Sequence, residues 1–436
     1  LELKQNSQVK FPKGTTGYIL NITEKYHDVP NSLTFIKFLG KGSFNSTFLV
    51  GKDSKQYCLR LTKKYIRRDV MDGIIRNEID GITTQHDLES CELTNKIYCY
   101  GEFSGIELYY KQSFKSFKSF QGVFALLEYY PINLRHVISS MHMAKIPRYP
   151  NMVLFSLRVA EQLVTFLECL SRIEKSHLDL KPDNIMTKFL DIKEHYDTLS
   201  KSIKKGEEGC SSSYRKPLQC FNLKGEARKR IRTSLWESIS RNIKENFLSV
   251  IDFGFVQNHG ILFRGQGTPG YVAPPIRSFR GITYKQDLWS IGIIIYETLV
   301  GNFPRYEHSE ISISPKSLID QAIIKGIFKD KEESNNFIDI LNNFFIEKTD
   351  AQFNFQKVRN DIANLQKKII LPDDMASEQS ESLPGSDLFN FSSTGFTLAG
   401  GGNRKFWRGK KQTRSKKIKT KKHKKLRNIK ITSKAI

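Results

Sequence analysis

The sequence predicts a mixed α+β chain, with strand-type segments first and helical ones after them. Two observations carry this expectation. Strand-type patterns, with alternating or continuous apolar residues, cluster before residue 130, and a long apolar stripe at helical spacing begins only at Met152. A chain of 436 residues with 39% hydrophobic content can bury the core of such a fold, with chain left over.

Phe35 to Val50 reads as strand, glycine turn and strand, with Gly40 and Gly42 in the turn and Phe44 at its tip. Gln56 to Leu61 alternates as a half-buried strand does. The repeat Ser113 to Phe120 reads as a hairpin connection into the apolar strand Val123 to Tyr130. From Met152 to Ile173, apolar residues recur at Val153, Leu157, Ala160, Leu163, Val164, Leu167 and Leu170, the spacing of a core helix. The stretch from about 188 to 246 is polar and rich in Lys and Arg, with apolar periodicity only near Ile231 to Phe247, and is expected to be a surface excursion.

Six cysteines, Cys58, Cys91, Cys99, Cys169, Cys210 and Cys220, are scattered without a CxxC pair, and no His/Cys spacing suits zinc. Each is expected to be simply buried or exposed, in a reducing compartment. The first residues carry no apolar signal core, and the apolar run Ile291 to Val300 is broken by Glu297 and too short for a bilayer, which points to a soluble intracellular protein in cytoplasm or nucleus. Charge is uneven: residues 403–436 hold 16 Lys or Arg and no acid, so only +8 of the formal +24 belongs to everything before them. This basic arm follows a Gly/Ser-rich linker around Ser392 to Gly402 and suits nucleic acid, another polyanion, or mere solvation.

The chemistry is carried by His177-Leu178-Asp179-Leu180-Lys181-Pro182-Asp183-Asn184 and, 73 residues after Asp179, by Asp252-Phe253-Gly254. Gly267-Thr268-Pro269-Gly270-Tyr271-Val272-Ala273 and Asp287-Leu288-Trp289 follow. In that order these segments resemble the eukaryotic-type serine/threonine protein kinases, over roughly residues 33 to 365. The resemblance implies a bilobal α+β fold, with a small antiparallel-sheet N-lobe and hinge at 33–130 and a mostly helical C-lobe at 131–365 carrying the insertion at about 188–246. An extension at 1–32, a linker at 366–402 and the basic tail at 403–436 lie outside it.

What the resemblance implies for the site can be written residue by residue. Asp179 accepts the substrate hydroxyl proton, Lys181 neutralises the γ-phosphate of ATP, and Thr268 bridges the two; Asn184 and Asp252 hold Mg2+. Gly40 and Gly42 approach the phosphates, Glu128 and Tyr130 lie in the hinge that binds adenine, and Leu127 guards the back of the pocket. His177 is a packing and hydrogen-bonding anchor, and Asp287 holds the backbone of the catalytic loop. The fork-shaped Arg60 stands where the family has a phosphate-gripping lysine, paired with Glu78 on a following helix near Ile74 to Ile79. Lys63 or Lys64 is an alternative cation.

Other departures from the family pattern are Asn45 in place of a glycine, Thr47 in place of valine, and Pro275 in place of glutamate, the last matched by the lack of an arginine in Asp350 to Phe355. The first two predict a stiffer loop and a more polar adenine contact. Leu178 replaces the arginine that receives an activation-loop phosphate, and residues 255–267 contain no Ser, Thr or Tyr, so control by loop phosphorylation is not expected. Three function classes follow: a kinase acting on Ser/Thr of protein substrates, a pseudokinase or scaffold, and a nucleic-acid-associated protein led by its tail. The Lys-, Ile- and Asn-rich style is similar to that of proteins of large DNA viruses.

Overall fold

The computed structural model describes residues 3–11, 15–22, 34–41, 45–52, 54–62, 68–104, 121–189, 191–197, 225–261, 267–273, 281–302, 321–345 and 352–369. Gly42, Phe44, Lys63, Lys64, the Ser113 to Phe120 repeat, Cys210, Cys220, Pro275, Asp350 and the tail at 403–436 lie outside these residues, as does the linker beyond 369. The fold is α+β, an antiparallel-sheet N-terminal region followed by a helical C-terminal one.

Strands β1 (Leu3–Phe11) and β2 (Thr15–Ile22) form an antiparallel hairpin. Five further strands build the main sheet: β3 (Thr34–Lys41), β4 (Asn45–Lys52), β5 (Lys55–Thr62), β6 (Ile97–Ser104) and β7 (Gln121–Glu128), in the spatial order β3-β4-β5-β7-β6. Tyr57, Leu59 and Leu61 alternate inward along β5 and are buried, which is the period-two pattern read from the sequence. Helix α1 (Arg68–Asp87) lies between β5 and β6 in the chain and buries Ile74, Glu78, Gly81 and Ile82.

Past the hinge come β8 (Ile132–Asn133), α2 (Leu134–Met143), α3 (Val153–Arg172), β9 (Lys175–Ser176) and β10 (Ile185–Thr187). Asn133 caps α2 by accepting the His136 N–H at 3.0 Å, satisfying one of the open donors of its first turn. The chain continues through α4 (Gly225–Asn242), β11 (Leu248–Val250), β12 (Gln257–Asn258), α5 (Lys285–Val300), α6 (Gln321–Lys325), α7 (Lys331–Asn342) and α8 (Phe355–Ile369). Small sheets β11-β10-β8 and β12-β9 frame the loops between them. The core centres on α3 and α5; all of α5 from Gln286 to Val300 is buried, so this helix is apolar nearly all round, as a central helix must be.

Two expectations need correction. The 188–246 stretch is not a surface excursion at its ends: Phe189, Ile192, Leu235, Ile239 and Phe247 are fully buried in the large core, with Phe189 and Phe247 stacked at 5.0 Å. Apolar residues near Ile231 to Phe247 supply one face of α4, and burying that face outweighs the polarity of the rest. Nor are all the cysteines simple thiols. Cys91, just after α1, and Cys169 on α3 are joined by a disulfide with Cα atoms 6.4 Å apart, because the fold brings together residues 78 apart in sequence. That pair removes part of the ground for expecting a reducing compartment. Cys58 and Cys99 are free, and burial pushes both thiols up to about 12.

Candidate active site

The loop after β9 is held in an uncommon backbone shape. Leu178 has φ of 65°, a left-handed conformation that costs a leucine about 1–2 kcal/mol. Asp287, at the start of α5 and fully buried, holds that shape by accepting the His177 N–H at 2.7 Å and the Leu178 N–H at 2.8 Å. Burial pushes the Asp287 carboxyl up to about 7 against the opposing pull of these two donors. The buried His177 ring lies 3.1 Å from the Ile251 carbonyl through Nε2 and packs on Phe253 at 5.0 Å. Burial lowers its pKa, which favours the neutral ring, with Nε2–H donating to Ile251 and Nδ1 accepting the Asp179 N–H at 3.3 Å.

With the loop so fixed, Asp179 sits in a cage of donors. Lys181 Nζ lies 2.8 Å from Asp179 Oδ2 and 2.7 Å from Thr268 Oγ1, while Thr268 Oγ1 donates to Asp179 Oδ1 at 2.6 Å. Asn184 Nδ2 donates to both the backbone oxygen and Oδ2 of Asp179, at 2.9 Å each. The activation-segment end reaches this cage because Gly267 lies directly on the Leu178 carbonyl. A Cβ at Gly267 would fall 2.3 Å from that oxygen, and its φ of 110° is one that only glycine adopts freely.

A second cluster is tied to the first through the backbone, where the Ile251 N–H donates to the Asn184 carbonyl at 2.9 Å. Arg60 Nη2 is 3.0 and 2.9 Å from the two oxygens of Glu78 and 2.9 Å from Asp252 Oδ1. Burial pulls the Arg60 pKa down, but Glu78 and Asp252 outweigh it and hold the guanidinium above its ordinary value. The structure thus brings Arg60, Glu78 and Asp252 together across three elements. Gly81 makes this approach feasible, since a Cβ there would stand 2.6 Å from the Phe253 carbonyl. At the end of β7, the Glu128 N–H donates to Lys96 O at 2.9 Å, and its carbonyl accepts Asn95 Nδ2 at 3.3 Å. Tyr130 OH donates to Glu128 Oε2 at 2.7 Å. Gly40 ends β3 with open space where a Cβ would stand, while Gly42 lies outside the described residues.

Sequence reasoning passed over three contributors. Asn45 reaches Glu78, and Gly81 packs on the Phe253 backbone. Arg135 on α2 joins Glu297, Tyr271 and Asp183, and Tyr271 OH donates to Glu297 at 2.6 Å, bracing the activation segment against α5. Only the glycine-to-Asn exchange left a readable signal, and it pointed to loop stiffness. Among the described residues, no cluster of His, Cys, Asp or Glu is arranged to hold a metal by itself.

The family model for the protein kinase domain matches residues 239–373, which include Asp252, Thr268 and Asp287 but begin after Asp179. The human cGMP-dependent protein kinase 2 is 42% identical over 91 residues, 20% of this chain and 11% of that protein. The human serine/threonine-protein kinase LATS2 is 25% identical over 279 residues, 62% of this chain and 22% of its own length. Warts, a serine/threonine-protein kinase of Drosophila melanogaster, is 23% identical over 290 residues, 64% of this chain and 23% of its own. The chain therefore spans less than a quarter of the length of each of these relatives. Residues 239–373 thus match the protein kinase domain, and over a longer stretch the chain is similar to serine/threonine-protein kinases.

Proposed function

We propose that the chain is an ATP-dependent protein kinase that transfers the γ-phosphate to Ser or Thr of protein substrates without activation-loop phosphorylation. The observation that carries this reading is the closed set Asp179, Lys181, Thr268 and Asn184, with Asp252 next to the Ile251 N–H that bonds to the Asn184 carbonyl. Phosphoryl transfer asks chiefly for positioning and charge neutralisation, and this set supplies both.

The residues present fit a magnesium nucleotide. Asn184 spends its amide nitrogen on Asp179, leaving its amide oxygen to join the half-exposed carboxylate of Asp252 as hard oxygen ligands. When bound, ATP and Mg2+ supply the transferable group and part of the charge neutralisation. Asp179 then orients the substrate hydroxyl and takes its proton, Lys181 stands beside the developing charge, and Arg60 offers a cation to the phosphates.

Independence from loop phosphorylation is supported by Leu178, a buried apolar side chain that can receive no phosphate, and by the lack of any hydroxyl residue in 255–267. The basic tail is proposed to bind nucleic acid or another polyanion, with an affinity that falls steeply as salt rises.

Transfer of labelled γ-phosphate by the intact chain, compared with Asp179→Asn, tests the main reading. Label on Ser or Thr that drops by about 10²–10⁴-fold in Asp179→Asn supports it. Nucleotide binding without transfer would instead favour the scaffold reading, which Arg60, Asn45 and Pro275 motivate.

A further inference from the structure

Asn45 begins β4, and the β4 to β5 register pairs it with Thr62 and pairs Thr47 with Arg60. Asn45 and Arg60 are thus diagonal neighbours two residues apart on adjacent strands, which places both side chains on one face of the sheet. Both reach the same carboxylate. Asn45 Nδ2 donates to Glu78 Oε1 at 2.7 Å, the oxygen that Arg60 Nη2 also approaches at 3.0 Å.

The Glu78 carboxylate, buried at 4% exposure, therefore accepts two hydrogen bonds on Oε1, one from Arg60 Nη2 and one from Asn45, while its Oε2 lies 2.9 Å from the same Nη2 as an ion pair. Nη2 alone also reaches Asp252. The two remaining guanidinium nitrogens, Nη1 and Nε, bond to no other described residue.

We propose that Asn45 is a positioning residue that works with Arg60 as one unit: its amide shares the load of Glu78, so that a single arginine nitrogen fixes both Glu78 and Asp252 and the rest of the guanidinium is left to the nucleotide phosphates. A buried carboxylate needs its lone pairs filled. Without Asn45, Glu78 draws further arginine nitrogens onto itself, turning the fork away from the phosphates. The exchange of a glycine for Asn45 and of a lysine for Arg60 is then one coupled change, in which a wide, forked cation is steadied by a neighbouring amide.

This inference rests on the nucleotide-binding part of the proposed function, and its test separates the two. Full-length chains of wild type, Asn45→Ala, Arg60→Lys and the double variant are compared in hydrogen exchange of residues 68–87 without nucleotide, in affinity for a fluorescent ATP analogue with Mg2+, and in KM and kcat for transfer. Asn45→Ala is expected to speed exchange around Glu78 and to raise both Kd and KM roughly tenfold, the scale of one hydrogen bond to a charged group, with kcat nearly unchanged. The double variant is expected to be no weaker than the worse single variant, because the two residues act together.

Asn45→Leu, which keeps the size of the side chain, loses the donor and adds no charge, guards against a fold lost to the alanine; it must show the same loss of affinity. Effects of Asn45→Ala and Arg60→Lys that multiply in the double variant, or an Asn45→Ala affinity equal to wild type, would overturn the proposal. Wild type that binds nucleotide and transfers nothing would sink the kinase reading and leave the binding cycle to decide this one. Absence of nucleotide binding by every version would overturn both.

Discussion

Asp179, Lys181 and Asn184 stand on a loop whose backbone is clamped by Asp287, and Asp287 opens a helix buried along its whole length. Arg60 and Glu78 stand instead on a strand and a helix of the smaller region, joined to each other and to Asp252 only through side-chain bonds. On the first side, backbone geometry sets where each group lies, and the residues keep the family pattern. On the second, what must close is a charge network, and a network can be closed by different side chains. The departures at Arg60 and Asn45 fall within this network, while the departure on the clamped loop, Leu178, contributes there through its backbone N–H.

The sharpest way to break this contrast is at Lys181, which touches both Asp179 and Thr268. Lys181→Ala is expected to lower kcat by about 10²–10³-fold, on the scale of losing one fixed charge-stabilising donor, with nucleotide affinity changed little. Steady-state kinetics beside a binding titration read the split; a loss confined to KM would contradict it.

Next comes the support of the larger region itself. His142, buried with Nε2 3.2 Å from the Thr298 carbonyl on α5, has its pKa lowered to about 4, chiefly by burial. A lowered pKa means that the neutral ring is favoured on folding. Its contribution is therefore fully present above pH about 6.5, the unfolded value, and lost as pH falls through about 4; the full effect is on the order of 3 kcal/mol. Denaturant unfolding between pH 7 and 4 should show this fall, and His142→Gln, which keeps a donor for Thr298, should flatten it. An equal slope in the variant would remove His142 from the account.

At the junction of the two sides stands Gly81. Alanine favours a helix by about 1 kcal/mol over glycine, yet Gly81→Ala places a methyl 2.6 Å from the Phe253 carbonyl. The clash is expected to win, with a net destabilisation of about 1–2 kcal/mol and weaker nucleotide binding as α1 moves off Asp252. Thermal unfolding with and without Mg-ATP checks it, and a stabilised variant would show that α1 can shift freely. The smallest effect belongs to a control. Lys357 pairs with Asp361 at 3.0 Å on the outer face of α8, and Lys357→Ala should change stability by less than about 0.5 kcal/mol.

Legibility in the sequence follows the same division. Local patterns carried far: the β5 alternation, the α3 stripe and the motifs around Asp179, Asp252 and Thr268 are all short-range signals. What the sequence did not disclose depends on contacts between distant segments. Asn45 was readable as a departure from glycine, but its bond to Glu78 needs the register of two strands and the approach of α1. Gly81 looks like a weak helix residue until Phe253 arrives beside it. The pairing of Cys91 with Cys169 depends on long-range closure that no local period encodes, and the apolar period near Ile231 to Phe247 marked a helix face without showing that Leu235 and Ile239 return to the core.

The most direct test of the central claim is transfer of labelled γ-phosphate by the intact chain to protein substrates, with residues 255–267 of the same sample examined by mass spectrometry. The account predicts label on substrate Ser or Thr from a chain whose 255–267 segment carries no phosphate. Nucleotide bound with no label transferred, or transfer only from a chain phosphorylated within 255–267, would contradict it.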